Sequence, residues 1–415
     1  MLSHYGDPSE KKRILVVLVG GTICSKFSGN VKTNSDETGL ILEKSFQDSY
    51  SPFADAVEFR LTEHYGIFSE NMTVSKWNRL LQAFRSIPEI VCTAQKYGNY
   101  PSLKERENPP PDANNLCDGI IIAHGTDSLA YSAALFSILL REMGVPVFLV
   151  SSNEALSADC ANGTDNFIAA VECICMGIKP NVYVTYKNPS DNRMYLHYAS
   201  RLKQCANYQA DFSSVGMVDI SDLSPENAFR LFGKLPRAHF DLICRDNEQN
   251  VLIIDLFRDW QLTASVLLLE PYVGLNYDFF DLERVDAVLH GTYHSGTVCS
   301  ESAFRDDYSA SVLHLLDRCQ NTTVYIAPAD LSGNIYETSA NILKACRGNV
   351  YFVNGFTKEM LYAKLLVAYS YEPLQKHIHR FLSGEYNHEI VIELNGVPKL
   401  LYPHDDESAK PAFTD

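Results

Sequence analysis

The chain has 415 residues, 46% of them apolar, and carries a formal net charge of −16 at pH 7. A chain of this length can bury one large or two medium hydrophobic cores. Because acidic residues outnumber lysines and arginines by 51 to 35, the protein repels phosphate backbones, so we expect no nucleic-acid partner and a small-molecule substrate. No stretch approaches the roughly 18 consecutive apolar residues of a membrane span, and the first residues lack the layout of a signal peptide. We therefore expect a cytoplasmic protein without a membrane partner.

Eleven cysteines lie scattered along the chain from Cys24 to Cys346, and none forms a Cys-x-x-Cys pair. An odd number of dispersed cysteines in a chain of this length indicates reduced thiols rather than a disulfide framework or a zinc site.

The first motif follows an apolar run near the start of the chain. Ile14 to Val19 is uninterrupted and apolar, which is typical of a parallel strand buried on both faces. The run breaks at Gly20-Gly21, where the backbone can turn sharply and approach a ligand, and it presents Thr22. The polar segment from Cys24 to Leu40 is predicted to be a loop, of a length that suits either a lid or a plain surface connection.

The second motif lies in the stretch Gly119 to Leu140, which reads as a buried strand, a tight turn and an amphipathic helix. The turn is His124-Gly125-Thr126-Asp127-Ser128. Ligands sit at the carboxyl ends of strands in open α/β sheets, so a hydroxyl and a carboxylate here are placed for chemistry. The same residue types also make good helix N-caps, so capping remains an equal alternative.

The remaining segments predict further α/β elements. A helix capped by Thr73 precedes the second motif, and the proline-containing segment from Tyr100 to Cys117 reads as an exposed insertion. Strands follow at 145–152 and 181–186, and Lys203 lies in the segment after them. A second unit contains strands at 287–289 and 324–327 and a helix from Lys358 to Ser370, and we expect a frayed tail from Tyr371. The predicted divisions are 13–222, a connection at 223–262, 263–372, and a tail at 373–415.

The two strand ends offer threonines, and one of them has a neighbouring carboxylate. A threonine hydroxyl is a poor nucleophile unless a base accepts its proton. A lysine held near Asp127 could serve as that base, and backbone N–H groups could stabilise the oxyanion. Thr22 or Thr126, with a lysine and Asp127, therefore suits acyl transfer, whereas a lone lysine such as Lys203 is more often a solvated surface charge.

Together the motifs resemble the bacterial-type L-asparaginase/glutaminase family. Gly20-Gly21-Thr22-Ile23 and the turn His124 to Ser128 are similar to its paired signatures, with Asn71-Met72-Thr73 and Trp77 between them. The resemblance covers roughly Arg13 to Ala368. It implies a larger doubly wound, mostly parallel-sheet domain with a smaller α/β domain, assembled as a homodimer or homotetramer. The implied reaction converts the side-chain amide of L-asparagine to L-aspartate and ammonia through a threonine acyl-enzyme, without metal or cofactor.

The resemblance also assigns roles to individual positions. Thr22 matches the first-motif nucleophile, Thr126 and Asp127 match the second threonine and its acidic partner, and Lys203 matches the lysine of that group. Ser69 and Glu70 match positions that hold the α-amino and α-carboxylate groups of the substrate. The residues expected to contact the substrate are Ser69, Glu70, Gly125 and Ser152.

Three departures leave alternatives open. The family usually has a tyrosine after the first motif, and Cys24 to Asp48 contains none. Ser69-Glu70-Asn71-Met72 looks more like the archaeal tRNA-dependent glutaminase subunit. The small-domain motif reads Gly291-Thr292-Tyr293-His294-Ser295-Gly296, where many members have an asparagine. The alternatives are therefore a glutaminase subunit of a tRNA-dependent amidotransferase, or a catalytically weak relative that binds and senses an amino acid.

Overall fold

The structure is a computed structural model, and the residues it describes are 11–28, 31–34, 37–105, 110–235, 244–245, 251–301, 307–329, 335–345, 349–375 and 378–383. These residues divide between two compact units. The first contains the residues up to 238 together with Ile253–Asp259, and the second contains those of 239–252 and from Trp260 onward. The four-part division at 222, 262 and 372 stays a prediction.

The strands, numbered along the described residues, are β1 (Lys12–Leu18), β2 (Ser25–Ser28), β3 (Val31–Asn34), β4 (Val57–Leu61), β5 (Gly119–Ala123), β6 (Val147–Val150), β7 (Val182–Asn188), β8 (Arg193–Tyr198), β9 (Leu202–Lys203), β10 (Ser213–Ser214), β11 (Val218–Asp219), β12 (Cys244–Arg245), β13 (Val251–Leu252), β14 (Val266–Leu269), β15 (Ala287–His290), β16 (Thr323–Ile326) and β17 (Val350–Phe352). The helices are α1 (Thr38–Gln47), α2 (Val74–Phe84), α3 (Pro88–Tyr97), α4 (Pro101–Glu105), α5 (Leu129–Leu139), α6 (Gly163–Cys175), α7 (Ala228–Phe232), α8 (Val312–Arg318), α9 (Glu337–Ala345), α10 (Lys358–Ser370), α11 (Glu372–Gln375) and α12 (Ile378–Ser383).

The first unit is built on a seven-stranded sheet in the order β11-β8-β7-β6-β5-β1-β4. The strands β4, β1, β5, β6 and β7 run parallel to one another, and β8 and β11 extend the sheet antiparallel. The apolar runs predicted to be buried strands form its centre, and every residue of β5 is buried. Helices cover both faces: α1 and α6 pack on one of them, around Phe46 and Phe167, whereas α5 packs against β7. The predicted doubly wound, mostly parallel sheet is confirmed.

The second unit contains a smaller parallel sheet in the order β14-β15-β16-β17. Its core includes Val288, Val324 and Phe352 from three neighbouring strands. The helix predicted from Lys358 to Ser370 is confirmed as α10, and Thr357 caps it by accepting a hydrogen bond from the backbone N–H of Met360 at 3.1 Å. The predicted smaller α/β unit is thus confirmed.

Four local expectations differ from the structure. The segment predicted as a loop after the first motif contains the hairpin β2–β3 and the start of α1. The predicted exposed insertion contains α4, because Asp255 accepts hydrogen bonds from the Ser102 backbone N–H and hydroxyl at 2.6 and 2.9 Å and so fixes the helix start. The helix of the second motif is buried on nearly every side rather than amphipathic. The tail begins with α11 and α12, and its residues from 384 lie outside the described part of the chain.

Two further expectations can be compared with side chains that the structure describes. The described cysteine side chains are all free thiols, in agreement with the expected reduced state. Within the described ranges, no helix is long and apolar enough to cross a membrane.

Candidate active site

The two predicted motifs lie at adjacent strand ends. β1 lies between β4 and β5 in the large sheet. The chain crosses from β1 to β4 on one side and from β5 to β6 on the other, so the connections that leave β1 and β5 run in opposite directions. Such a reversal opens a crevice beyond the carboxyl ends of the two strands, where open α/β sheets bind ligands. Thr22 follows β1 at this crevice, and Thr126 and Asp127 follow β5.

Close backbone packing joins the two motifs to a third segment. A Cβ atom added to Gly21 would lie 2.1 Å from the Cα atom of Gly125. A Cβ atom on Gly125 would lie 2.4 Å from the Ser69 hydroxyl oxygen and 2.8 Å from the Cα atom of Gly21. Gly21 also has a φ of 81°, in the region that favours glycine. The structure thus brings the loops that carry Thr22, Ser69 and Thr126 into contact.

Ser69 holds the carboxylate of the second motif in place. Its hydroxyl donates to Oδ2 of Asp127 at 2.9 Å, and the Ser69 hydroxyl oxygen accepts a hydrogen bond from the Asp127 backbone N–H at 3.2 Å. The Ser128 hydroxyl donates to the backbone carbonyl of Ser69 at 2.7 Å. Ser69 is 2% exposed, whereas Asp127 and Glu70 are exposed. One fixed and solvent-facing carboxylate therefore lies beside the buried serine.

The side chains of the second motif do not cap the helix α5 that follows them. Ser128 occupies the N-cap position of α5, but its side chain makes no capping hydrogen bond. Its hydroxyl bonds to the Ser69 loop instead, and the Asp127 carboxylate accepts its hydrogen bond from Ser69. The polar side chains of the turn are therefore not used to cap the helix that follows.

The two threonines are the hydroxyl nucleophile candidates at the crevice. Thr22 and Thr126 are both half-buried, and neither hydroxyl has a hydrogen-bond partner among the described residues. Two thiols are also close to the motifs: Cys24 is two residues after Thr22, and Cys205 interacts electrostatically with Asp127. Burial raises the pKa of Cys24 to about 12 and likewise that of Cys205 to about 12. Since the thiolate is the reactive form of cysteine, these two residues are poor nucleophiles at neutral pH.

The other predicted site residues differ in their surroundings. Lys203 lies in β9, is exposed, and makes no ion pair among the described residues. Its neighbour Gln204 reaches the second motif, donating from Nε2 to the Thr126 carbonyl at 2.9 Å. Ser152 is fully buried at the end of β6. Its hydroxyl donates to the Glu154 carbonyl at 2.5 Å and accepts from the Gly163 backbone N–H at 3.1 Å, so both roles of this hydroxyl are already occupied.

A buried histidine underlies each of two similar turns. His124 is fully buried, with Nδ1 2.8 Å from the Gly125 carbonyl, and burial lowers its pKa to about 4. In the second unit β15 ends at His290 and is followed by Gly291-Thr292. His290 Nδ1 lies 2.6 Å from the Gly291 carbonyl, and burial again lowers the pKa of this histidine. Both turns have the sequence His-Gly-Thr at the end of an apolar strand, and this shared pattern is visible in the sequence alone.

Residues 111–230 match the protein-family model described as "Asparaginase, N-terminal". The predicted resemblance to the asparaginase family is confirmed. The matched range contains β5, the second motif and Gln204, and it ends before the second unit.

The asparaginase fold extends over most of the chain. The thermostable L-asparaginase from Thermococcus kodakarensis superposes with a TM-score of 0.55 at 17% identity, covering 89% of this chain and 98% of that one. In sequence, the chain is 22% identical over 331 residues to a subunit of glutamyl-tRNA(Gln) amidotransferase from Pyrococcus abyssi, covering 79% of this chain and 65% of that protein. The chain is 23% identical over 388 residues to the corresponding protein of Methanococcus maripaludis strain C6, and this alignment covers 92% of this chain and 82% of that protein. Among the first four curated relatives, this chain spans only 50–65% of the relative's length.

Proposed function

We propose that the protein is an amidohydrolase that converts the side-chain amide of L-asparagine to L-aspartate and ammonia through a threonine ester. The observation that carries the proposal is the junction of three loops at one crevice. The carboxylate of Asp127 is held there by Ser69, in the turn that also carries Thr126, and the loop that carries Thr22 packs against the same turn. Hydroxyl nucleophiles beside an oriented carboxylate are the groups that acyl transfer requires.

The residues would divide the reaction between them. The Thr22 hydroxyl oxygen forms a bond to the side-chain carbonyl carbon, and the carbon–nitrogen bond breaks as the hydroxyl proton passes to the leaving ammonia. Water then attacks the ester, releases aspartate and restores the hydroxyl. In this proposal Thr126, Asp127 and Lys203 transfer the protons. Ser69 and Glu70, with Gly125 and Ser152 beside them, bind the amino-acid part of the substrate.

The proposal includes the state in which the enzyme works. We propose a cytoplasmic homodimer or homotetramer that needs no cofactor, metal ion or nucleic-acid partner. The L-asparaginase folds of Thermococcus kodakarensis and of Campylobacter jejuni, the latter described as a probable cytoplasmic enzyme, support the choice of substrate.

A second candidate is the glutaminase component of a tRNA-dependent amidotransferase. The similarity to glutamyl-tRNA(Gln) amidotransferase subunits favours it, and so does the sequence Ser69-Glu70-Asn71-Met72. Glu70 is exposed beside the Ser69–Asp127 contact, where a carboxylate can pair with a substrate ammonium group. The net charge of −16 weighs against tRNA binding by this chain alone.

Ammonia release from L-asparagine, L-glutamine and D-asparagine tests the proposal directly. We expect release from L-asparagine by the purified protein. Thr22→Val and Thr126→Val, which keep the branched shape and remove the hydroxyl, should lower kcat by at least about 100-fold because the nucleophile or its partner is lost. Thr263→Val, at an exposed threonine of the second unit, is the matched control and should leave kcat unchanged.

The other outcomes separate the candidates. Release from L-glutamine alone would replace the asparaginase assignment with the glutaminase one. Full activity of both threonine variants would refute the site assignment. No release from any amide, with an amino-acid-dependent rise in Tm, would leave a binding or sensing protein on this fold.

A further inference from the structure

We infer that Gln204 is a positioning residue for the second motif, an inference that rests on the proposed function of Thr126 and Asp127. Its side-chain amide makes two hydrogen bonds to the same turn of chain. Nε2 donates to the Thr126 carbonyl at 2.9 Å, and Oε1 accepts from the Ala130 backbone N–H at 3.2 Å. These contacts join residues 78 and 74 positions apart in the sequence.

The start of α5 explains why such a contact is needed. The first N–H groups of a helix have no partner inside the helix and are normally satisfied by the N-cap side chain. The N-cap residue Ser128 does not do this: its side chain makes no capping hydrogen bond, and its hydroxyl donates to the Ser69 carbonyl. Gln204 supplies the missing acceptor to Ala130, the second residue of the helix. Its other end holds the carbonyl of Thr126, two residues before the N-cap.

Ser69 and Gln204 hold one short turn from two separate segments of the chain. Ser69 binds the side chain and backbone of Asp127 from the loop before α2. Gln204 binds the residues on either side of Asp127 from the segment after β9. The turn that carries the proposed catalytic hydroxyl and carboxylate is therefore fixed from two directions, so neither Thr126 nor Asp127 can shift without breaking a hydrogen bond.

Gln204 also sets where Lys203 lies. Lys203 is the preceding residue and pairs with Ser213 in the β9–β10 ladder. The contact of Gln204 with Thr126 therefore fixes the backbone of Lys203 relative to the second motif. A displacement of about 1 Å between catalytic groups can lower a rate about 100-fold, so loss of this contact should affect turnover more than substrate binding.

Only an amide fits both contacts at neutral pH. A carboxylate can accept from Ala130 but cannot donate to the Thr126 carbonyl, and a thioether cannot donate and is only a weak acceptor. A protonated carboxylic acid regains one O–H donor and keeps one acceptor. Gln204→Glu should therefore recover function as the pH falls toward the ordinary glutamate pKa of about 4.3, which a purely structural defect would not do.

The experiment measures kcat and KM for ammonia release by the full chain, together with Tm and the hydrogen exchange of the Ala130 amide. The variants are Gln204→Glu and Gln204→Met, with Gln209→Glu as the control. Gln209 is an exposed glutamine of the same loop. We expect a 10- to 100-fold fall in kcat for both Gln204 variants at pH 7, a KM within about threefold of the wild type, and faster exchange at Ala130. The kcat of Gln204→Glu relative to the wild type should rise between pH 7 and pH 4.5.

Each result points to one conclusion. Wild-type kcat in Gln204→Met, or a Gln209→Glu defect of equal size, overturns the inference while the proposed function stands. If the wild-type chain releases no ammonia, the proposed function fails and hydrogen exchange still decides the contact. Unchanged exchange at Ala130 in Gln204→Met would then reject it, and accelerated exchange would support it.

Discussion

At the scale of single residues, the candidate site depends on two glycines, Gly21 and Gly125, as well as on its polar side chains. Gly21 and Gly125 approach so closely that a Cβ atom on either would overlap backbone atoms of the other loop. This approach leaves the Ser69 hydroxyl within reach of both the carboxylate and the N–H group of Asp127. The glycines of the two motifs therefore let the loops that carry the two threonines pack closely against each other, in addition to allowing tight turns.

The first prediction concerns Gly125→Ala. The added methyl group would lie 2.4 Å from the Ser69 hydroxyl oxygen and 2.8 Å from the Cα atom of Gly21, so at least one loop must move. We expect kcat/KM for the proposed reaction to fall by about 100-fold or more, with a loss of about 1–3 kcal/mol in the free energy of unfolding from overpacking. Steady-state kinetics and urea denaturation measure the two effects. Gly233→Ala, where the nearest atom lies at 3.1 Å, should change neither by more than a small amount, and an active Gly125→Ala would contradict the close approach.

At the scale of elements, α5 is buried on nearly every side and so contacts several neighbouring elements. Its residues before Leu140 include small alanines and serines that allow neighbouring elements to approach. The indole Nε1 of Trp77 in α2 donates to the Ser132 hydroxyl at 3.0 Å. This buried contact links the helix that follows the Ser69 loop to the helix that follows the second motif.

The second prediction concerns that link. Ser132→Ala leaves the buried indole N–H of Trp77 without its acceptor, so we expect the free energy of unfolding to fall by about 1–3 kcal/mol. Ser137→Ala in the same helix is the control, because the Ser137 hydroxyl donates to the carbonyl of Ala134 within α5 and alanine is the better helix former. It should change stability by less than about 1 kcal/mol. Equal losses in the two variants would show that the interhelical hydrogen bond does not stabilise the pair.

Sequence patterns predicted the elements that have strong local signals. The buried strands β1 and β5, the cap of α2 at Thr73 and the span of α10 follow from continuous apolar runs and capping chemistry. The hairpin β2–β3 was missed because its strands are short and polar, although the dipeptide Gly29-Asn30 between two four-residue runs is a hairpin signal.

The site was predictable only where residues follow strands. Thr22, Thr126 and Asp127 lie at strand ends, so the rule for open α/β sheets locates them without a structure. The Ser69–Asp127 contact and the Gln204 contacts join residues 58 to 78 positions apart. No local pattern carries such information, because it depends on how separate segments pack.

At the scale of the whole molecule, buried histidines lie in both units, two in the first and one in the second among the described residues, and burial favours their neutral form. In the first unit burial lowers the pKa of His124 to about 4 and that of His197 to about 3. In the second unit burial lowers the pKa of His290. All three lie on or directly after sheet strands at 0% exposure, so none can take up a proton without a charge being buried away from water.

These histidines predict acid sensitivity of folding. In the unfolded chain a histidine binds a proton near pH 6.5, whereas His124 and His197 do so in the folded state only near pH 4 and pH 3. Below pH 6.5 the unfolded state therefore binds more protons, and the free energy of unfolding should fall by up to about 1.4 kcal/mol per pH unit for each histidine until its folded-state pKa is reached. Urea denaturation between pH 7.5 and pH 4.5 measures this slope.

His197→Gln should be less stable than the wild type at pH 7, because it changes a fully buried side chain whose Nδ1 contacts the Ser214 hydroxyl at 2.9 Å. Its free energy of unfolding should nevertheless depend less on pH than that of the wild type. His294→Gln, at an exposed position of the second unit, should keep the wild-type slope. A slope that is the same in all three proteins would mean that buried histidines are not the source of the acid sensitivity.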